Sequence, residues 1–188
     1  FAKKAIEKGA DGLIAVAAGA GGHAGQISPL ALLSEIREWF DGPLLLSGAI
    51  ATGRSIFAAQ VMGADLAYIG SPFIATREAN AVKSYKRMIA ESNADDIVYS
   101  SLFTGVHGNY LKPSIRLAGL DPENLPDSDP SNMNFSSSEH RPKSWKNIWG
   151  SGQGIGAIKD VTSTKELIVL FAEQYAEASQ SIKGIIYG

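Results

Sequence analysis

Short apolar runs alternate with amphipathic stretches along the first part of the chain. Leu13, Ile14, Ala15 and Val16 form one run, Leu44, Leu45 and Leu46 a second, and Leu66, Ala67, Tyr68 and Ile69 a third. Such runs, short and without alternation, predict parallel strands covered on both faces. The stretches between them place apolar residues three and four apart. Residues 2–8 read as part of a helix, residues 29–40 as a second and residues 53–62 as a third. In the second, Leu30, Leu33, Ile36 and Phe40 share one face. Ser28 suits its N-cap and Pro29 its first turn, while Gly42 as a left-handed residue and Pro43 would close it. In the third, Ile56, Phe57 and Val61 are expected to point inward. The tripeptide Gly-Ala-Asp occurs at 9–11 and again at 63–65, each time between a helix and an apolar run. Repeated βα units of this kind predict an α/β fold, either a doubly wound sheet or a (β/α)8 barrel.

Further along, the pattern predicts a longer helix over 77–90 and a short strand over 97–103. It also gives a helical tendency over 109–118 that Pro113 interrupts. Residues 121–147 hold four of the eight prolines among many Ser, Asp and Asn, and read as a polar excursion, lid or linker. A final helix over 164–182 opens on a capping box, Ser163 with Glu166. Leu167, Phe171, Tyr175, Ala178 and Ile182 mark its buried stripe. The chain opens at Phe1, inside an amphipathic segment, so residues 1–188 are expected to be one partial domain lacking its N-terminal half.

Composition narrows the function classes. At 45% hydrophobic residues the 188-residue chain can build an ordinary core. A net charge of −2 offers no basic excess, so nucleic acid and anionic membranes are poor partners. No apolar run reaches the ~18 residues of a membrane span. The absence of cysteine removes disulfides, thiolate nucleophiles and Cys-based metal sites, and fits a reducing compartment such as the cytoplasm. His23, His107 and His140 lie too far apart in sequence to support a metal site. Trp39, Trp145 and Trp149 read as packing residues.

Chemistry concentrates where the strands end. Gly19, Gly21, Gly22 and Gly25 surround His23 after the first run; Gly48 and Gly53 follow the second; Gly70 and Ser71 follow the third. In α/β folds ligands bind at the C-terminal ends of strands. Bare backbone lets a flat ligand approach, and N–H groups at a helix start near Gly53 would favour an anion. The two turns at 47–53 and 68–73 together suggest a phosphate cradle. The lone imidazole of His23 is then the candidate for proton chemistry. Ordinary βα turns with a solvated His23 are the competing reading. There is no Gly-x-Gly-x-x-Gly after the first strand and no Walker lysine, so dinucleotides and nucleoside triphosphates lack their usual support.

Four ordered stretches then carry a resemblance: Gly-Gly-His-Ala-Gly (21–25), Ser-Gly-Ala-Ile-Ala-Thr-Gly (47–53), Gly-Ala-Asp-Leu-Ala-Tyr-Ile-Gly-Ser-Pro-Phe (63–73) and Ile-Trp-Gly-Ser-Gly-Gln-Gly (148–154). Over residues 1–160 the chain resembles the nitronate monooxygenases, formerly 2-nitropropane dioxygenases. An FMN-dependent enoyl-acyl-carrier-protein reductase and a NADH:quinone reductase subgroup share much of the pattern. The resemblance implies the C-terminal part of an FMN-binding (β/α)8 barrel. It implies oxidation of alkyl nitronates or nitroalkanes with O2 to a carbonyl compound and nitrite, and a homodimer remains open. Carried onto this chain, His23 is the catalytic base and Gly22 lines the flavin. Gly48 and Ala49 meet the FMN phosphate, with Ile69, Gly70 and Ser71 as the second phosphate turn, and Gln153 lies near the flavin. Val16 or Ala17 stands where many members have glutamine, and Ser71 where threonine is common. An NAD(P)H-dependent flavin reductase and a non-catalytic truncated relative are the alternatives.

Overall fold

The computed structural model describes residues 1–126 and 147–187. The three apolar runs become one parallel sheet: β1 (Leu13–Val16), β3 (Leu44–Ser47) and β4 (Leu66–Ala67), in the order β1-β3-β4. Leu13 stands opposite Leu44, and Leu45 opposite Leu66. The connecting helices are α2 (Pro29–Arg37) and α3 (Gly53–Val61), and α1 (Ala2–Glu7) precedes β1. Leu13, Ala15, Leu44 and Leu46 turn toward these helices and pack with Leu33, Ile36 and Ala59. Leu33, Leu44 and Leu46 are fully buried, each stabilising the fold by about 1.5–3 kcal/mol. The other sheet face is open: Ile14 and Val16 of β1, with Leu66 and Tyr68, are exposed. Parallel strands with helices on one side and apolar residues on the other form the wall of a (β/α)8 barrel, where the second set makes the inner layer. The expected cover on both faces is therefore met on the helical side alone.

Gly9 and Gly63, the first residues of the two Gly-Ala-Asp copies, adopt φ of 93° and 102° just past α1 and α3. Glycine takes this left-handed conformation without a Cβ penalty. Asp65 then accepts from the Leu44 amide at 2.7 Å and from Arg37 at 2.8 Å. The Leu44 amide first, and Arg37 next, hold its carboxyl below the usual carboxylate range. Arg37 also donates to the carbonyls of Phe40, Gly42 and Gly63. That knot ends α2 at Arg37, three residues short of the predicted end, and Gly42 is not among the residues of positive φ. Leu30 and Val61, both expected inward, are exposed.

A second sheet was not predicted. It is antiparallel, in the order β2 (Gly22–His23), β6 (Gly108–Leu111) and β5 (Ile97–Ser100). Residues read as the start of a helix at 109 are thus strand. The helix α6 (Lys112–Leu117) begins only at Lys112, with Pro113 in its first turn, where proline is tolerated. A short helix α4 (Ser71–Ile74) follows β4, and α5 (Lys83–Glu91) starts six residues later than expected. Arg77 and Glu78 are freed from that helix and brace α7 (Thr164–Tyr187) instead. Arg77 pairs with Glu166 at 2.7 Å, and Glu78 accepts from the Thr164 amide at 2.9 Å. The Ser163–Glu166 capping box is present in both directions.

The C-terminal helix lies against the start of α3. A Cβ on Gly53 would sit 1.9 Å from the Phe171 carbonyl, and the Gly53 amide donates to Gln174 at 2.8 Å. Phe171 and Ala178 are buried and Tyr175 stacks edge-on against Phe57, but Ile182 is exposed. Smaller cores gather Ile89, Leu111 and Ile155, and Tyr110, Ile115 and Ile148. Most of the predicted excursion at 121–147, with His140 and Trp145, falls outside the described residues.

Candidate active site

The C-terminal ends of the three parallel strands open into one cavity of about 400 Å³. Gly22 and His23 contribute from β2, Gly48 and Ala49 from the turn after β3, and Gly70 and Ser71 from the turn after β4. Gly150, Gly152 and Tyr85 close the far side. Residues as far apart in the chain as Ala20 and Ile155 thus converge where the strand-end rule places a ligand. Two candidates stand back from the wall. Ile69 is half-buried and packs on the sheet core, and Gln153 lies beside Gly19, to whose carbonyl its amide donates at 2.9 Å.

Most of the glycines serve backbone packing rather than ligand approach. A Cβ on Gly21 would meet the Gly152 nitrogen at 2.7 Å, and one on Gly154 the Ala49 carbonyl at 2.4 Å. Gly70 differs: an added Cβ there meets nothing within 4 Å, so it faces open space in the cavity. At the start of α3, Gln174 takes the Gly53 amide and the reciprocal Thr52–Ser55 box takes the Thr52 and Ser55 amides, so these donors are not offered to an anion. Ala49 holds φ of 55°, the one positive value at a non-glycine among the described residues. Its amide donates to Gly19 at 3.1 Å, and Gly152 donates to the Ser71 hydroxyl at 2.9 Å. These bonds tie the three strand ends together. Strain held by such surroundings is typical of a built site.

His23 sits on a strand rather than in a free loop. Gly22 pairs with Asn109 and His23 with Gly108. Asn109 is buried and its amide group donates to the Ala20 carbonyl at 2.7 Å. The Tyr99 hydroxyl donates to the Ala24 carbonyl at 2.8 Å, and its ring stacks on His107 at 5.0 Å. His23 Nε2 lies 2.8 Å from the Thr104 hydroxyl. Tyr85 stacks on Trp149 at 4.9 Å and donates its hydroxyl to Gly150; burial pushes it up to about 12, so it stays protonated. Asn109, Thr104, Tyr85 and Tyr68 escaped the sequence reading. Thr104 and Asn109 lie in a stretch without clear periodicity, while Tyr68 and Tyr85 were read only as part of an apolar run and of a helix. Among the described residues no group of His, Asp and Glu could hold a metal ion, and no helix is long and apolar enough to cross a membrane.

Strand ends that meet in a backbone-lined cavity are the ligand face of a barrel wall, and the likeness to known proteins agrees with that fold. A family model for nitronate monooxygenase matches residues 1–173. A Bacillus subtilis protein named "Probable nitronate monooxygenase" is 27% identical over 179 residues, covering 86% of this chain and 51% of that protein. A Mycobacterium tuberculosis relative named as a monooxygenase is 27% identical over 202 residues, covering 98% of this chain and 53% of the relative. The nitroalkane oxidase of Streptomyces ansochromogenes superposes with a TM-score of 0.74 at 25% identity, over 96% of this chain and 56% of that one. FabK of Thermotoga maritima superposes at 0.76 with 21% identity, over 98% of this chain and 60% of that one, which speaks for the fold alone. The chain belongs to the nitronate monooxygenase family. It spans about half the length of these curated relatives.

Proposed function

We propose that the protein containing this chain oxidises alkyl nitronates, and the nitroalkanes that give rise to them, with FMN as cofactor and O2 as oxidant. The observation that carries this reading is the single imidazole, His23, on the wall of a cavity otherwise made of backbone, small apolar residues and hydroxyls. The cavity suits a mononucleotide. At about 400 Å³ it falls within the ~300–1,000 Å³ of cofactor sites. No Lys or Arg is among the described residues that line it, and backbone N–H groups with the Ser71 hydroxyl are the donors offered to a phosphate.

In this reading Gly70 and Ser71 face the phosphate from one side and Gly48 from the other. Ala49 keeps its amide on Gly19 and so holds the turn that presents Gly48. Ile69 and Gln153 support these loops from behind. Gly22 leaves room for the flavin ring. FMN, when bound, supplies the redox chemistry and the route to O2. The chain supplies position and one acid–base group. For a neutral nitroalkane His23 takes the carbon-bound proton, and the C–H electron pair moves into the nitro group. For a nitronate, already deprotonated, the imidazole orients the nitro oxygens. Two nitronates and one O2 then give two carbonyl compounds and two nitrites, so atoms and charge balance. An imidazole suits the task because its ordinary pKa lies near neutral pH.

The test is His23→Asn in the flavin-loaded protein, assayed with nitroethane and with ethyl nitronate. Turnover of nitroethane should fall by roughly 100-fold or more, the usual worth of a general base, while nitronate turnover falls far less. Equal rates for variant and parent on both substrates would remove His23 from the reaction.

A further inference from the structure

We infer that Tyr85 is a positioning residue of the cofactor cavity: through the Gly150 carbonyl, its hydroxyl fixes the backbone strip 149–153 that closes the far side. This role rests on the reading of the cavity as the FMN site.

The strip joins the parts of the cavity wall, and it does so by backbone. Trp149 offers its carbonyl to the Leu111 amide at 2.8 Å and its own amide to the Ser114 hydroxyl at 3.0 Å. Gly150 stands opposite Tyr110 in an antiparallel bridge. The Ser151 amide donates to the Asn109 carbonyl at 3.2 Å. The Gly152 amide donates to the Ser71 hydroxyl and the Gln153 amide to the Gly19 carbonyl, both at 2.9 Å. Three successive amides thus reach the antiparallel sheet, the turn after β4 and the turn after β1.

Gly150 and Gly152 line the cavity and have no side chain to lock the strip. Peptides beside a glycine rotate at little steric cost. The 150–151 peptide is held at both ends, its amide by Asn109 and its carbonyl by Tyr85. Tyr85 reaches it from the first turn of α5. Its ring stacks on Trp149 at 4.9 Å and packs with the small core of Ile89, Leu111 and Ile155. A phenylalanine would fill that core as well. The hydroxyl is what packing does not require, and its bond goes to the cavity wall. Burial pushes the phenol up to about 12, so it keeps the proton that it donates. Behind the strip there is no slack: a Cβ on Gly21 would lie 2.7 Å from the Gly152 nitrogen, and one on Gly152 would lie 2.8 Å from the Gly19 carbonyl. Turning the 150–151 peptide therefore displaces Gly152, and with it the amide that orients the Ser71 hydroxyl.

The test is Tyr85→Phe in the whole flavoprotein, a change that keeps the ring and its stack on Trp149. FMN is removed and titrated back, well below the melting midpoint of either protein. The dissociation constant of the variant should rise about five-fold, the scale of one lost hydrogen bond; a role in packing alone would leave it unchanged. Ser71→Ala should weaken FMN binding too. Because both residues act through one strip, the double variant should lose less than the product of the two single losses. A second readout needs no flavin: amide hydrogen exchange of segment 149–153 in the flavin-free protein should be faster in Tyr85→Phe, with α5 itself unchanged. An FMN affinity equal to the parent's overturns the inference, as do losses that simply multiply, or exchange in 149–153 that does not change. Those results leave the cofactor reading standing. A parent protein that binds no FMN overturns the cofactor reading and this role of Tyr85 with it.

Discussion

The cavity has two kinds of wall. One side is the end of the parallel sheet, where Gly48, Ala49, Gly70 and Ser71 follow directly on their strands. The other is the antiparallel patch, where His23 is held by Thr104, Asn109 and Tyr99 from a hairpin more than seventy residues away. The first wall offers backbone and needs only a strand, a turn and a helix in succession. The second wall offers a side chain with a defined orientation, and it exists only when distant segments pair. Anchoring a ligand and carrying out chemistry on it thus rest on different physics. A local turn supplies N–H groups wherever it forms, whereas a side chain is useful only in a rotamer and tautomer fixed by its neighbours.

The sharpest way to separate the two walls is Gly70→Leu. Its side chain would grow into open cavity, so FMN affinity should fall on the order of 100-fold, about 2.7 kcal/mol, while the melting temperature hardly changes. Titration with FMN and a thermal melt check both, and a large drop in melting temperature would show that Gly70 is packed rather than open. Gly108→Ala strikes the second wall. Its Cβ would lie 2.7 Å from the Gly22 carbonyl, so the pairing of β2 with β6 must loosen. A loss of about 1–3 kcal/mol is expected from such overpacking, with nitroethane turnover falling further than FMN affinity. Equal loss of both would mean that the walls do not act separately.

Asp65→Asn is the smallest change and lies away from both walls. The folded carboxyl is held below its usual range by the Leu44 amide and Arg37. The stability it contributes is therefore present above the unfolded carboxylate pKa and is lost as pH falls through the folded value. The variant should melt lower than the parent at neutral pH, and the gap should close in acid. A gap that stays constant with pH would assign the role of Asp65 to packing instead of charge.

The first wall was legible in the chain. Apolar runs, Gly-rich turns and the repeated Gly-Ala-Asp located three strand ends and placed Gly48, Gly70 and Ser71 beside Gly22 and His23. Helix ends were legible where a side chain acts locally, as at Ser163 with Glu166. They were misread where a distant partner acts: Arg37 ends α2 early, and Arg77 with Glu78 leaves α5 to brace α7. The second wall was hidden. A two-residue strand such as β2 carries no periodicity, and the β6 segment Gly108–Leu111 runs straight into α6. The glycines around His23 were read as bare surface for a ligand, yet Gly21 is needed because another backbone lies against it, as one does against Gly108 and Gly154.

By itself the sequence determined the α/β architecture, the family and the neighbourhood of the cavity, because these follow from residues near one another in the chain. Hydrophobic period, turn chemistry and capping act over a few residues and survive in the order of the letters. Only the tertiary structure decided which nitrogen of His23 meets Thr104, that Gln174 occupies the helix start at Gly53, and that Gly70 faces space while Gly21 faces backbone. Each of these is a contact at hydrogen-bond or van der Waals range between segments far apart in sequence. Such contacts are set by how the sheets and α7 pack, a distance that no local pattern encodes.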